Sequence, residues 1–416
     1  MTKTPEELYK ERTKRVSDAV QLRVPDRVPF MPFFNFFLAK YDGITCEEAM
    51  YDYNKLAAAA KKAIMDFEPD MFNNPFPLTA LGPILETLDC RYLMWPGRGL
   101  PSHQSYQFVE KEYMKADEYD DLLFDPTGFM LRQFLPRVYG SLEPLQQLPS
   151  LPSLYYTRFL TGTAAFADPG VSEALSSLVK AGTHAQQMLL KAKAFSEEMK
   201  VLGFPAQTGG VAYAPFDYIG DLLRGTRGVM LDMYRVPDKL QETMEKLIPF
   251  ILQGAVSAAR ASGIPYIFMP MHKGLDGFMS PDQFKTFFWP HLKKVILSLI
   301  KEKLVPMVLW EGDCTSRLEI IKDIPKGKAI YWFEQTDIFR AKEVLGDTVC
   351  IRGNVPATML CVGRPEDVVE YCKKLIGVVG KDGGFILDGA IGIPDEAKLE
   401  NLRAMAKTTR EYGVYK

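Results

Sequence analysis

The feature that most constrains this chain is a recurring two-part unit. A short run of β-branched, aromatic or aliphatic residues ends in polar residues or glycine, and a stretch of helical period follows it. Residues 266–272, 307–313, 329–334, 349–354 and 384–389 are such runs, and 27–35 and 70–75 read as two earlier ones. Their near-continuous apolar character is that of strands buried on both faces. Between them, Pro237 opens a helix that runs through Ile248, Ile251, Val256 and Ala259 to Gly263. Ser280-Pro281-Asp282-Gln283 places a capping Ser, a Pro at the first helical position and an acidic residue in the order a helix start requires. Arg364-Pro365-Glu366-Asp367 opens a third helix, with Val368, Cys372, Leu375 and Ile376 on one face. Strand alternating with helix predicts parallel pairing, because only a crossover returns the chain in the same direction. The expected fold class is therefore α/β, a (β/α)8 TIM-type barrel.

A chain of 416 residues suits one large barrel with an insertion. Residues 117–200 break the rhythm with helical pieces at 128–137 and 172–199, and no flexible linker marks a second domain. The expectation is a single barrel domain over 1–416 with a largely helical insertion at about 117–200. Fifty Lys and Arg against 52 Asp and Glu give a net charge of -2, which argues against nucleic acid or an anionic membrane surface as main partner. A small-molecule substrate is the expectation. The N-terminal stretch 1–15 alternates Lys, Glu and Arg without an apolar signal core, and apolar runs such as 295–300 are too short to span a bilayer. Six scattered cysteines form no CxxC pair, so reduced thiols in a cytoplasmic protein are expected. GxGxxG, P-loop and GxSxG signatures do not occur.

Catalytic groups in such a barrel come from the C-terminal ends of its strands. That rule selects His272, Glu311, Asp313 and Asp388 as catalytic candidates. His272 closes an apolar strand and is either a rim histidine bonded to a carbonyl, or an acid or metal ligand that titrates near neutrality. Glu311 and Asp313 stand one residue apart, where they could divide acid and base roles or share a metal; alternatively Asp313 caps the next helix. Asp388 before Gly389 is either functional or an Asx turn. Asn35, Asn74, Glu334, Arg352 and Asn354 are candidate substrate contacts by the same rule. Arg352 either holds an anionic group bidentately or ties neighbouring loops. Phe33, Phe34, Phe37 and Tyr213 either line an apolar substrate pocket or belong to ordinary core.

Several segments together resemble the uroporphyrinogen decarboxylase superfamily. Arg23-Val24-Pro25-Asp26-Arg27-Val28-Pro29-Phe30 is similar to its opening strand, and Gly209-Gly210-Val211-Ala212-Tyr213-Ala214-Pro215-Phe216-Asp217 to its middle motif. Phe278-Met279-Ser280-Pro281-Asp282-Gln283-Phe284 resembles its Ser-Pro helix start. Gly353-Asn354-Val355-Pro356 and the stretch from Gly392-Ile393-Pro394 to Leu399-Glu400-Asn401 resemble its closing signatures, each slightly shortened. The resemblance implies a (β/α)8 barrel with a deep cleft at the strand C-termini. Where haem-pathway decarboxylases carry an Arg-Gln-Ala-Gly-Arg clamp, this chain has Phe33-Phe34-Asn35-Phe36-Phe37, which removes the cationic grip on a tetrapyrrole.

The resemblance thus points nearer to the corrinoid-dependent methyltransferases of the superfamily. Their zinc-binding His-x-Cys aligns here with Leu309-Trp310-Glu311, and their later Cys with Ala390-Ile391, so only Glu311 can coordinate. Without thiolates, a thiol acceptor is disfavoured and a donor with an oxygen or nitrogen leaving group is favoured. The resemblance implies O-demethylation: a methyl group moves from a small methoxyaromatic to a corrinoid carried by a partner protein, since no Asp-x-His-x-x-Gly loop occurs here. His272 and Glu311 would hold zinc at the ether oxygen or act there as acids. One alternative is a decarboxylase of a small aromatic or pyrrolic acid, with Asp388 or Glu311 as proton donor and Arg352 holding a carboxylate. Another is a non-catalytic carrier of a corrinoid or tetrapyrrole.

Overall fold

The computed structural model describes residues 3–416; Met1 and Thr2, which head the charged N-terminal stretch, lie outside the described residues. A small sheet precedes the main one, with β1 (Leu93–Pro96) parallel to β2 (Gly99–Leu100) and antiparallel to β3 (Gln107–Phe108). The main sheet comprises β4 (Gly210–Val211), β5 (Tyr266–Met271), β6 (Val305–Trp310), β7 (Ile330–Phe333), β8 (Cys350–Arg352) and β9 (Phe385–Ile386). Each pairs with the next in chain order, and all pairs are parallel.

Two earlier segments close the circle. Phe30 bridges Leu387 just beyond β9, the Asp70 amide donates to the Phe30 carbonyl at 2.8 Å, and Phe72 bridges Ala206 just before β4. Six strands and two bridged segments make the eight staves of a (β/α)8 barrel. The sequence predicts full strands at 27–35 and 70–75, but single bridges form there. Pro29, Pro32 and Pro75 have no amide hydrogen to give a ladder, so pairing stops beside them.

Side-chain alternation sorts the barrel into an inside and an outside. Tyr266, Met307, Ile330, Cys350 and Ile386 cluster inside with Met31 and Met71. Val16, Ala19 and Val20 of the helix Pro5–Val20 join that cluster, so this helix seals one end of the barrel. Ile267, Met269, Val308, Tyr331, Phe333 and Ile351 face outward, fully buried under the surrounding helices. Each such side chain contributes about 1.5–3 kcal/mol by leaving water.

One layer above the sealed end, Phe33, Phe268 and Trp332 meet, with ring centroids 5.4 Å apart for Phe33–Phe268 and 5.7 Å for Phe33–Trp332. Two residues further along each strand the chain reaches the open mouth. The helix starting at Pro281 has the capping expected from its sequence: Ser280 Oγ accepts from the Gln283 amide and the Gln283 side chain accepts from the Ser280 amide. Region 117–200 is helical, with Tyr119–Phe124, Pro126–Phe129, Leu135–Val138, Thr157–Gly162 and the long helix Pro169–Val201. Among the described residues, no helix is long and apolar enough to cross a membrane.

Candidate active site

His272 stands one residue past β5 and Glu311 one residue past β6, so register alone brings them together at the mouth. Their side chains approach to 3.5 Å, Nε2 to Oε1. The other ring nitrogen, Nδ1, lies 2.6 Å from Asp221 Oδ2. Burial works against a charged imidazole here, but the hydrogen bonds and charges of Asp221 and Glu311 outweigh it and push the His272 pKa up to about 10. At neutral pH the ring is an imidazolium with 38% of its side-chain surface exposed. It is a cation that a ligand can reach.

Asp221 organises this corner. Its second oxygen accepts from Lys273 Nζ, and although burial raises its pKa, the two neighbouring cations bring the net shift below the ordinary carboxylate value. Asp217, four residues earlier, accepts the backbone amides of His272 at 2.9 Å and Lys273 at 3.0 Å, which fixes the strand end that presents both side chains. Burial first, and then the charge of Asp221, raise the Asp217 pKa. Asp221 rides on a single π-helical turn, Tyr218–Leu223, a deviation often found at functional sites. Gly220 in that turn permits the close approach of Lys273, whose Cδ would lie 2.7 Å from an added Cβ.

Gly312, at φ 73°, turns the chain after Glu311 so that its amide donates to Glu334 Oε2 at 2.6 Å. Glu334 therefore braces the loop beside Glu311. Tyr213 lies at the same corner: burial and the charge of Asp221 raise its phenol pKa. Phe33 is half-buried against Phe268 at the barrel floor. A cavity of about 220 Å³ adjoins this corner, with Asp221, His272 and Lys273 at one end and Tyr92, Tyr113 and Phe134 in its walls.

Other candidates are committed elsewhere. Arg352 and Asp388 are both 0% exposed and paired with each other; Arg352 also donates to the Met31 carbonyl and stacks on Trp332 at 4.0 Å. Burial raises the Asp388 pKa to about 6 against the pull of Arg352, and its Oδ1 accepts the Gly389 and Phe33 amides. This pair ties β8 to the first segment, so Arg352 has no free fork for a substrate anion and Asp388 has no open face. Asn74 holds Phe76 and the long helix through Ala192 and Ser196, while Asn354 spans the Glu334 and Thr336 carbonyls and Tyr371. Asp313 is exposed and accepts from the amide and hydroxyl of Thr315, while Cys314 takes the cap position of the turn that begins there. Asn35 accepts from Thr79, and Phe34 and Phe37 stack on each other at 5.5 Å, each 2% exposed. The last two are core, not pocket walls.

A zinc site at His272 and Glu311 finds too few ligands. Such a site takes at least three protein ligands, and among the described residues no three His, Cys, Asp or Glu side chains are arranged to hold a metal. Both ring nitrogens of His272 are engaged by carboxylates, and burial raises the nearby Cys314 thiol away from the thiolate form. The donor set does not fit the metal.

The family model described as uroporphyrinogen decarboxylase matches residues 172–412. A uroporphyrinogen decarboxylase from Chlorobium phaeobacteroides is 23% identical over 59% of this chain and 68% of its own length. One from Chlorobium luteolum is 25% identical over 53% of this chain and 62% of its own, so the chain spans only about two thirds of these relatives. Among solved structures, a methyltransferase from Methanosarcina mazei superposes with a TM-score of 0.64 at 16% identity, covering 96% of this chain and 98% of that one. That likeness establishes the fold. With more than half of its length matched by the family model, the chain belongs to the uroporphyrinogen decarboxylase family.

Proposed function

We propose that this protein is a methyltransferase that takes the methyl group of a small methoxyaromatic and passes it to the corrinoid of a partner protein. One observation carries the reading: the His272 imidazolium, with a pKa of about 10, stands half-open beside aromatic surfaces at the barrel mouth. An aryl methyl ether releases its methyl group only when the departing phenolate is protonated, and an ordinary phenol has a pKa of about 10. Donor and recipient of that proton are thus matched, the condition under which general acid catalysis is efficient. The Methanosarcina methyltransferase, alike over nearly the whole chain, supports the reaction class.

In the reaction the methyl–oxygen bond breaks and the carbon takes the electron pair of a Co(I) corrinoid, which becomes methyl-Co(III). The phenolate oxygen takes the proton from His272 Nε2, the nitrogen that its 3.5 Å approach to Glu311 leaves loosely held. Asp221 keeps Nδ1 and fixes the ring plane, and solvent restores the proton. Arg352 is neutralised by Asp388 and holds no substrate carboxylate, which weighs against the decarboxylase alternative.

The test is anaerobic: the protein is mixed with Co(I) corrinoid and a panel of methoxyaromatics, and methyl-Co(III) is followed by its absorbance. Methyl-cobalt formation is expected, with His272→Ala slower by about a hundredfold, the lower range for loss of a general acid. No methyl-cobalt with any donor, even with a cognate corrinoid protein present, would overturn the reading; carbon dioxide release from a small aromatic acid would replace it with decarboxylation.

A further inference from the structure

The cavity beside His272 has dimensions and walls that choose its occupant. Its volume is about 220 Å³. A cavity of roughly 150 Å³ lined by apolar side chains accommodates benzene, so this one takes a single ring with a small substituent and excludes a tetrapyrrole. Tyr92, Tyr113, Phe134 and Val138 form the walls, and Phe108 stands at the rim, 72% exposed. The polar groups gather at one end, where Asp221, His272 and Lys273 meet. An apolar slot with polar groups at one end is the form of a small-molecule site.

The backbone adds a second observation. Asp221 lies in the π-helical turn Tyr218–Leu223 and Phe134 closes another, Met130–Phe134. Two such turns, far apart in the chain, thus deliver side chains into one cavity, and turns of this kind recur where a helix must aim a functional group.

The charges narrow the ligand further. His272 and Lys273 bring two cations to the cavity; Asp221 pairs with both, and Glu311 also faces His272. A third carboxylate, Glu110, lines the cavity too, held in place by the Thr226 amide. An acid group on the ring would meet three carboxylates, Asp221, Glu311 and Glu110, against two cations that are already paired with the first two. A neutral ring meets only aromatic faces.

We infer that this cavity, rather than the barrel floor at Phe33, receives the ring of the methyl donor, and that it selects neutral monocyclic aryl methyl ethers over those bearing a carboxylate. The inference rests on the methyl-transfer reading for the word donor, but not for binding. The ring lies against the wall that Tyr113 and Phe134 form by packing edge to face, with its ether oxygen at His272 and its methyl group turned toward the open mouth. Glu110 sets the selectivity, and Phe134 sets the depth.

Calorimetric titration of the full chain with guaiacol and with vanillate tests this without any corrinoid. Guaiacol is expected to bind at least about tenfold more tightly than vanillate, as expected when the carboxylates lining the cavity disfavour the acid. Phe134→Trp, which fills the cavity, weakens guaiacol binding at least about tenfold, and Glu110→Gln narrows the preference over vanillate about threefold. Should Phe134→Trp fail to fold, Phe108→Ala at the exposed rim replaces it, with an expected loss of about threefold. Equal binding of the two ligands, no binding of either, or guaiacol affinity unchanged in the folded wall and rim variants would overturn the inference. Guaiacol binding that obeys these expectations without methyl-cobalt formation sinks the methyltransferase reading and leaves the pocket. Wild-type methyl transfer from guaiacol in Phe134→Trp sinks the pocket and leaves the reading.

Discussion

Asp221 governs the charge of His272 because it holds one ring nitrogen at 2.6 Å in a partly buried corner, where a carboxylate is poorly screened. The imidazolium pKa is raised, to about 10, so its contribution to folding is fully present below the unfolded value and is lost as pH rises through about 10. Catalysis follows the same sign: the acid form persists across pH 6–9 and the rate of methyl transfer should be flat there on its account. In Asp221→Asn the pKa falls toward the ordinary histidine value of about 6.5, and the rate at pH 8.5 should drop at least about tenfold relative to pH 6. Histidine ring resonances followed by NMR check the cause, because the variant ring titrates in that window and the native ring does not. A flat pH profile in the variant would mean Glu311 alone holds the proton. His272 and Glu311 were legible in the sequence because each directly ends an apolar strand. Asp221 was not, since it lies eight residues beyond Tyr213 in a turn whose π geometry no composition reveals. The spacing of four between Asp217 and Asp221 was the available signal: it puts two carboxylates near one face of a helical turn.

The helix Pro5–Val20 shows how an element is fixed by one buried charge. Its Arg15 reaches Asp70, which is 0% exposed, while Arg27 pairs with the same carboxylate and the Phe30 amide donates to it at 2.7 Å. Asp70 thus joins the sealing helix to both bridged segments of the barrel. Removing Asp70 leaves Arg27 without its carboxylate and takes the buried partner from Arg15, which keeps Glu11 and Asp26. The cost lies at the lower end of about 3–5 kcal/mol. Asp70→Asn should therefore lower stability in urea denaturation by about 3 kcal/mol, and amide exchange should quicken first in Pro5–Val20. Slower or unchanged exchange in that helix would show that its apolar face, Val16, Ala19 and Val20, suffices to hold it. Element by element, long apolar runs such as Tyr266–Met271 and Val305–Trp310 were readable because burial on both faces leaves its mark in composition. Gly210–Val211 was not, being a two-residue strand after Gly209 whose apolar continuation leads straight into the helix start at Pro215. β1 to β3 escaped for a like reason: Pro96, Gly97, Gly99 and Pro101 break up any apolar run, and tertiary contact pairs the short segments around them.

At the scale of the molecule, the family match and the barrel do not coincide. Residues 172–412 hold all six strands of the main sheet, but the circle closes only through Phe30 and Phe72, which precede that match. The barrel is therefore a joint product of the two ends of the chain, with the segment 151–166 lying between them in sequence. In that segment Tyr155 and Tyr156 are 81% and 80% exposed, Leu160 is 70% exposed, and backbone hydrogen bonds such as Leu154 to Leu151 and Phe159 to Tyr156 are local. Such a stretch opens at little free-energy cost, whereas the strands open only with the whole barrel. Limited chymotrypsin treatment should cut first at Tyr155, Tyr156, Phe159 or Leu160. The two fragments should then elute together at the mass of the uncut chain, because Phe72 with Ala206 and Phe30 with Leu387 still bridge them and Asn74 still holds the long helix. Guaiacol should bind the nicked protein as it binds the intact one, since the cavity draws Tyr113 and Phe134 from one fragment and Asp221 and His272 from the other. Fragments that separate in native buffer would mean that the bridged segments are held by chain continuity and not by the barrel itself. Early cutting within 210–390 would mean that the parallel sheet is the weaker part.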